Sequence, residues 1–345
     1  MNDFYFPTLS PDSVTWIEQL MPGFSADGAV ADMLEGSFGV ELGSTAGRLL
    51  NLFFGELQLS LRTLALLLAM GIFLAVIRNM QSSFGRESVG AAANLAATAY
   101  LTVIALGAFS TARDCALSAV DDLSLIMDAI LPITLSLMLS GGMAVSGGAV
   151  HPVIYFMCSV LGRIISGIVI PLAMFSMILN LLGCISPGID VNGIADLCKR
   201  ISSYVLSFLM VVFTGVLSIT RFAASSFDSL AARGLKFAVS AAVPVVGGSI
   251  ADAMSSVAGG SALLRNSIGA AGVAVIIAVA LLPVVKIGAL SLVFRIGGAM
   301  MGPMGNAAVA NAVYHMAGCL ETLLSSVASV AVMMVIAVAA LMGGG

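Results

Sequence analysis

Residues 267–303 read SIGAAGVAVIIAVALLPVVKIGALSLVFRIGGAMMGP, a 37-residue apolar run broken by Pro283, Lys286 and Arg295. About 20 mainly apolar residues in a helix cross a hydrocarbon core about 30 Å thick. The run is too long for one straight crossing. Pro283 marks a place to bend, and Lys286 just after it reads as a turn between two helices. Working outward, the same pattern recurs. Residues 152–186 form an apolar run broken by Arg163 and bent at Pro171. Shorter candidate spans cover 63–77, 89–110, 129–149, 201–220, 241–260 and 322–342.

Composition agrees. The chain is 59% hydrophobic and 9% charged, with a mean hydropathy of +1.09. A soluble domain carries about 25% charged residues, so lipid must cover much of this surface. The expected fold is an all-α, polytopic membrane bundle with a domain boundary near residue 60. Residues 1–60 hold eight of the 18 acidic residues and one of the 14 basic ones, Arg48. They read as an amphipathic N-terminal segment outside the cytoplasm, with no secretory signal at its start. The transmembrane domain is expected over 61–345.

The proline spacing points to a duplication. Pro132 and Pro244 lie 112 residues apart, as do Pro171 and Pro283, while Pro187 and Pro303 lie 116 apart. Gly147-Gly148 and Gly259-Gly260 fall on the same 112-residue step. Units of about 89–200 and 201–316, followed by a final helix at 322–342, are the expected organisation. Basic residues cluster at 78–88 (Arg78, Arg86) and 221–240 (Arg221, Arg233, Lys236), with Arg113 alone at 111–128. Counting 111–128 as a loop, the bias of lysine and arginine toward the cytoplasm makes the repeat inverted.

The segment 241–260, AAVPVVGGSIADAMSSVAGG, combines Pro244, Gly247, Gly248, Gly259 and Gly260 with Asp252. Proline and glycine weaken a helix, and freed backbone groups in hydrocarbon must be buried in protein or line water. It reads either as a re-entrant or unwound element or as a surface amphipathic helix or kinked span. Asp252, Arg163, Lys286 and Arg295 are charges within or beside apolar runs. They line a polar path, pair across the units, or mark span ends and reach for headgroups. Ala92, Ala93, Ala96 and Ala97 space small residues four apart, which allows close helix packing within the chain or between copies, as in a homo-oligomer.

Several chemistries lack support in the sequence. His151 and His315 have no acidic residue at metal-ligand spacing, and Cys115, Cys158, Cys184, Cys198 and Cys319 form no CxxC pair, so no metal or cofactor is expected. No HExxH, P-loop or GxSxG motif occurs, and Asp121-Asp122 reads as a solvated loop, so the chain is not expected to be an enzyme. The acidic balance, −4 overall, speaks against nucleic acid as a partner.

Residues 231–253, AARGLKFAVSAAVPVVGGSIADA, with GGSALLRNSIGAAG at 259–272 and MGPMGN at 301–306, resemble the stage III sporulation protein AE family of endospore-forming bacteria. The resemblance is strongest over about 200–310 and looser from residue 60 on. It implies an integral membrane protein of the mother cell, in the outer forespore membrane. It further implies a channel-like complex with a forespore partner and the other proteins of its operon, including a cytoplasmic ATPase, supporting forespore development. Family members usually begin with a signal peptide and a longer extracytoplasmic segment, which the Met1 start here lacks. The repeat and broken segments alone would also suit a small-solute permease working by alternating access, and a non-conducting membrane scaffold is a third reading.

Overall fold

A computed structural model of the chain describes residues 42–84, 87–141, 143–185, 191–242, 247–304 and 307–342. Its helices are α1 (Leu42–Phe84), α2 (Glu87–Ser140), α3 (Ala144–Ile164), α4 (Ile170–Ile185), α5 (Asn192–Ala242), α6 (Gly247–Met301) and α7 (Ala307–Met342). A π turn, Ile165–Val169, joins α3 to α4, and a 3-10 turn, Gly302–Met304, follows α6. No strand occurs among the described residues.

Among the described residues, six helical stretches are long and apolar enough to cross a membrane: Phe54–Ile77, Thr98–Ser140, Gly148–Gly183, Gly193–Ala223, Gly259–Met301 and Val309–Met342. The expected spans at 89–110 and 129–149 are not separate. Residues 111–128 continue the helix between them, because TARDCALSAVDDLSLIMD contains neither glycine nor proline. Pro132 sits inside α2 and Pro283 inside α6 without ending either helix. A proline removes one backbone donor, a loss that packed neighbours and small register shifts absorb in apolar helices. Lys286 therefore lies within a continuous helix and not at a turn. Pro171 is accommodated by the π turn just before it, where the Ile170 N–H reaches back five residues to the Ile165 carbonyl. Residues 144–185 thus form one helical rod with a local widening.

Cross-helix contacts fix the directions. His151 meets the Leu131 carbonyl, Gly162 faces Ser124, and Arg113 reaches Met174, so α2 and the α3–α4 rod are antiparallel. Ser176 bonds the Ala195 carbonyl and Ser202 the Val169 carbonyl, so α4 and α5 are antiparallel too. Hence α2 and α5 run in the same direction. A unit starting near 89 and a copy starting near 201 would be parallel, which corrects the inverted arrangement. The charge count failed because it used 111–128 as a loop, and that stretch is helix.

The centre of the bundle is the α6–α7 hairpin. About half of each of its spans is buried (56%), against 22% for α1 and α5. Phe294, Ile287, Val313, Leu323, Val327 and Val338 fill the space between them and α2 and α4. α1 lies outside on α6 and α2, and α5 lies outside on α3, α4 and α7. Burial of such side chains is not what drives helices together in lipid. Close van der Waals packing of small residues is, and the glycines and alanines of α6 and α7 supply it.

The glycine-rich segment differs from a re-entrant loop over its described part. Gly247, Gly248, Gly259 and Gly260 all lie in α6. Pro244 lies outside the described residues, as does Pro187, whereas Pro303 is exposed in the 3-10 turn. In the first unit the helix ends at Ser140 and resumes at Ala144; the equivalent positions 112 residues on are helical. The interruption after Ser140 therefore has no counterpart 112 residues on. A Cβ placed on Gly259 or Gly260 meets nothing within 4 Å. Gly259→Ala is accordingly expected to raise stability by about 0.5–1 kcal/mol, since alanine restricts the unfolded chain and suits a helix. A thermal melt in detergent that moved down instead would show that this stretch is not helical in the native protein.

Candidate functional site

Several polar groups of α2 and α3 line a cavity between the two helices. Residues Asp121, Ser124 and Asp128 recur at three- and four-residue steps, which stacks them on one helix face. Opposite them, Tyr155, Ser159, Arg163 and Ser166 do the same on α3 and its π turn. The cavity has a volume of about 260 Å³. Gly162 lets the two helices close at its floor, with Ser124 Oγ only 3.3 Å from where a Cβ would sit.

Its chemistry is that of a wet, anionic notch. Asp121 and Asp128 lie two helical turns apart, roughly 10 Å along the axis. Asp121, Asp128, Tyr155 and Arg163 are all exposed, so the cavity opens to the outside of the bundle. Ser124 donates its hydroxyl proton to the Val120 carbonyl (2.8 Å) and Ser166 to the Gly162 carbonyl (2.9 Å). Those hydroxyl oxygens are left to accept. The lining thus offers carboxylates and hydroxyls to water or cations, with Arg163 as the opposing charge. Among the described lining residues Cys158 is buried and no histidine occurs. No group of three or more His, Cys, Asp and Glu suited to a metal ion occurs among the described residues.

Of the four charges singled out in the sequence, the structure places Arg163, Lys286 and Arg295 apart from one another. Arg163 lines the α2–α3 cavity. Arg295 lies on α6 and grips Glu321 of α7 in a two-pronged pair, Nε to Oε1 at 2.6 Å and Nη2 to Oε2 at 2.8 Å. Its guanidinium also sits 5.5 Å from the centre of the Tyr314 ring, and Ser291 leans on the same carboxylate. The pairing is therefore within the α6–α7 hairpin and not across the units. Lys286 is half-buried on α6. Asp252 belongs to the second turn of α6, and its side chain lies outside the described residues, as do those of Ala92, Ala93 and Ala97. Ala96 is exposed on α2, Gly147 and Gly148 begin α3, and Pro132 faces outward.

Sequence reasoning missed several partners. Asp128 and Glu321 were not singled out, and Asp121-Asp122 is helical, with Asp122 buried. The repeat of polar residues at 121, 124 and 128 and again at 159, 163 and 166 was the available signal. A second polar cluster pins α4, α5 and α7 together. Ser176 donates to the Ala195 carbonyl at 2.8 Å and receives the Cys319 thiol at 3.4 Å, while Asn180 Nδ2 lies 3.8 Å from the same sulfur. Lys199 crosses over Gly318, and His315 Nδ1 stands 3.8 Å from Asp196. These contacts satisfy buried polar atoms between helices, a holding role.

Comparison with known proteins supplies the remaining context. The family model of stage III sporulation protein AE matches residues 24–345. The stage III sporulation protein AE of Bacillus subtilis (strain 168) is 28% identical over 298 residues, covering 86% of this chain and 74% of that protein. No solved structure matches.

Proposed function

We propose, given that the chain belongs to the stage III sporulation protein AE family, that it is the membrane subunit of a channel-like or secretion-like complex. In this reading the complex joins mother cell and forespore and supports forespore development. The chain would sit in the mother-cell membrane that surrounds the forespore. It would act with the other proteins of its operon, a forespore-side partner and a cytoplasmic ATPase that supplies the energy, and would not itself be an enzyme. Family membership makes it a sporulation protein, and its six apolar helices suit a membrane.

The observation that carries the reading is where the polar surface lies. The middle of the bundle is packed apolar helix, α6 against α7, while the carboxylate-lined cavity opens outward between α2 and α3. A permease working alone would gather its polar groups at the centre. A lateral polar notch completes a conduit only when another subunit closes it. The outer face of α5 adds a surface for such contact. Ile194, Leu197, Ile201, Tyr204, Phe208 and Val211 are all exposed and alternate at steps of three and four, the spacing of a helix seam.

The test is a photo-cross-linker placed at Tyr204 and at Asp121 in sporulating cells, with buried Phe213 as the control position. Cross-links from the two exposed sites to products of the same operon, co-purifying with the ATPase, are the expected result. A chain that purifies alone and cross-links only to lipid would favour the permease or scaffold readings.

A further inference from the structure

A second cavity, of about 400 Å³, lies between α5 and α7. Its walls are mostly apolar: Leu217 and Phe222 on α5 face Ile336, Ala339 and Ala340 on α7. Three polar residues complete it, Thr214, Ser218 and Arg221. The two hydroxyls already donate within their own helix, Thr214 to the Met210 carbonyl and Ser218 to the Thr214 carbonyl. Arg221 makes no ion pair or hydrogen bond among the described residues. The charge acting on it from α6 is Arg265, of the same sign.

The apolar stretch of α5 ends at Ala223 and that of α7 at Met342, so Arg221 stands near the end of both apolar walls. A guanidinium at the end of an apolar stretch reaches for lipid headgroups, and the apolar walls run from it along both helices. The volume is within the range of small-molecule pockets, about 300–1,000 Å³. A ligand for this groove needs an anionic head and an apolar tail.

We propose that the α5–α7 groove binds one anionic phospholipid, its phosphate on Arg221 and an acyl chain along Leu217, Phe222 and Ile336. Arg221 brings a positive charge to the apolar walls, and a lipid phosphate meets that charge in a low-dielectric setting. A zwitterionic lipid fills the same apolar walls but brings a compensating positive charge to the head. The groove therefore distinguishes headgroups by charge and holds the chain by shape. It would tether α5, the outermost helix on this side, to the central α7. This site is independent of the α2–α3 cavity and of the channel reading.

The experiment uses the full chain purified in mild detergent and native mass spectrometry with added lipid. Phosphatidylglycerol is expected to bind about tenfold more tightly than phosphatidylcholine, the effect of one charge-assisted contact. Arg221→Gln should erase that preference and Arg221→Lys should keep most of it. Ala339→Phe, an exposed wall position, should block the tail and lower affinity for both lipids while Arg221 stays in place. Inorganic phosphate at matching concentration should not displace the lipid. Equal binding of the two lipids, an Arg221→Gln protein that still prefers phosphatidylglycerol, or displacement by phosphate alone would each overturn the proposal. The last outcome would make the site a free-anion site.

Discussion

Gly298→Ala is expected to destabilise the protein by about 1–3 kcal/mol, and Gly298→Val by more. This is the opposite sign from Gly259→Ala in the same helix. A Cβ on Gly298 would lie 2.9 Å from the Tyr314 nitrogen, 3.0 Å from the Ala310 carbonyl oxygen and 3.1 Å from the Tyr314 Cα. All three are backbone atoms of α7, so no side-chain rotation relieves the clash. α6 must move away from α7, and this crossing is the root of the hairpin at the centre of the bundle. The displacement also pulls on Arg295, three residues earlier, and on its pair with Glu321. Thermal unfolding in detergent, read by loss of monodisperse protein, measures both variants. Two equal and small shifts would mean that α6 and α7 do not cross closely at this point. By contrast, a Cβ on Gly318 would meet the flexible end of Lys199, which can swing aside, so Gly318→Ala should be mild.

Much of the fold was legible in the sequence because hydrophobic length is a strong signal. The run 267–303 and the run 152–186 each became one helical rod, longer than the bilayer is thick. What failed was the placement of breaks. Charges between 113 and 128 were read as a loop, yet a helix with its polar residues on one face keeps every backbone hydrogen bond. Only glycine or proline at that point would have argued for a turn. Pro283 was read as a bend or turn, yet it costs a single donor inside a bundle that packs around it. The proline spacing remains a feature of the chain, and the helix directions make any duplication a parallel one. The family resemblance over 231–253 pointed to the sporulation family correctly. It also drew attention to Asp252, whereas the polar cavity between α2 and α3 is lined by Asp121, Asp128 and Arg163, in the first half of the chain. Among the expected charges whose side chains are described, Arg163 alone lines it. Its partners in the cavity are spaced along two different helices, and their approach depends on Gly162, a relation across about 40 residues that no single periodicity displays.

Asp121→Asn together with Asp128→Asn should reduce the yield of heat-resistant spores by about tenfold or more while the protein accumulates normally. The separation of function from stability follows from exposure. Both carboxylates are exposed, and asparagine preserves their shape and most of their hydrogen bonding, so folding should change by about 0.5 kcal/mol or less. Neither carboxylate serves to neutralise Arg163, for no ion pair joins them among the described residues. Two acidic groups on a helix within an apolar bundle cost free energy in lipid, and a packing role does not account for them. The proposed role of drawing water or cations into a shared conduit would account for them, and it requires charge, which asparagine lacks. Asp114→Asn is the matched control. It removes an exposed carboxylate of the same helix that pairs with its neighbour Arg113 at 2.7 Å and does not line the cavity. Asp114→Asn should sporulate normally. If the double variant sporulates as well as the control, the cavity is not on the functional surface. If glutamate at either position restores the yield where asparagine does not, the charge itself is what the function uses.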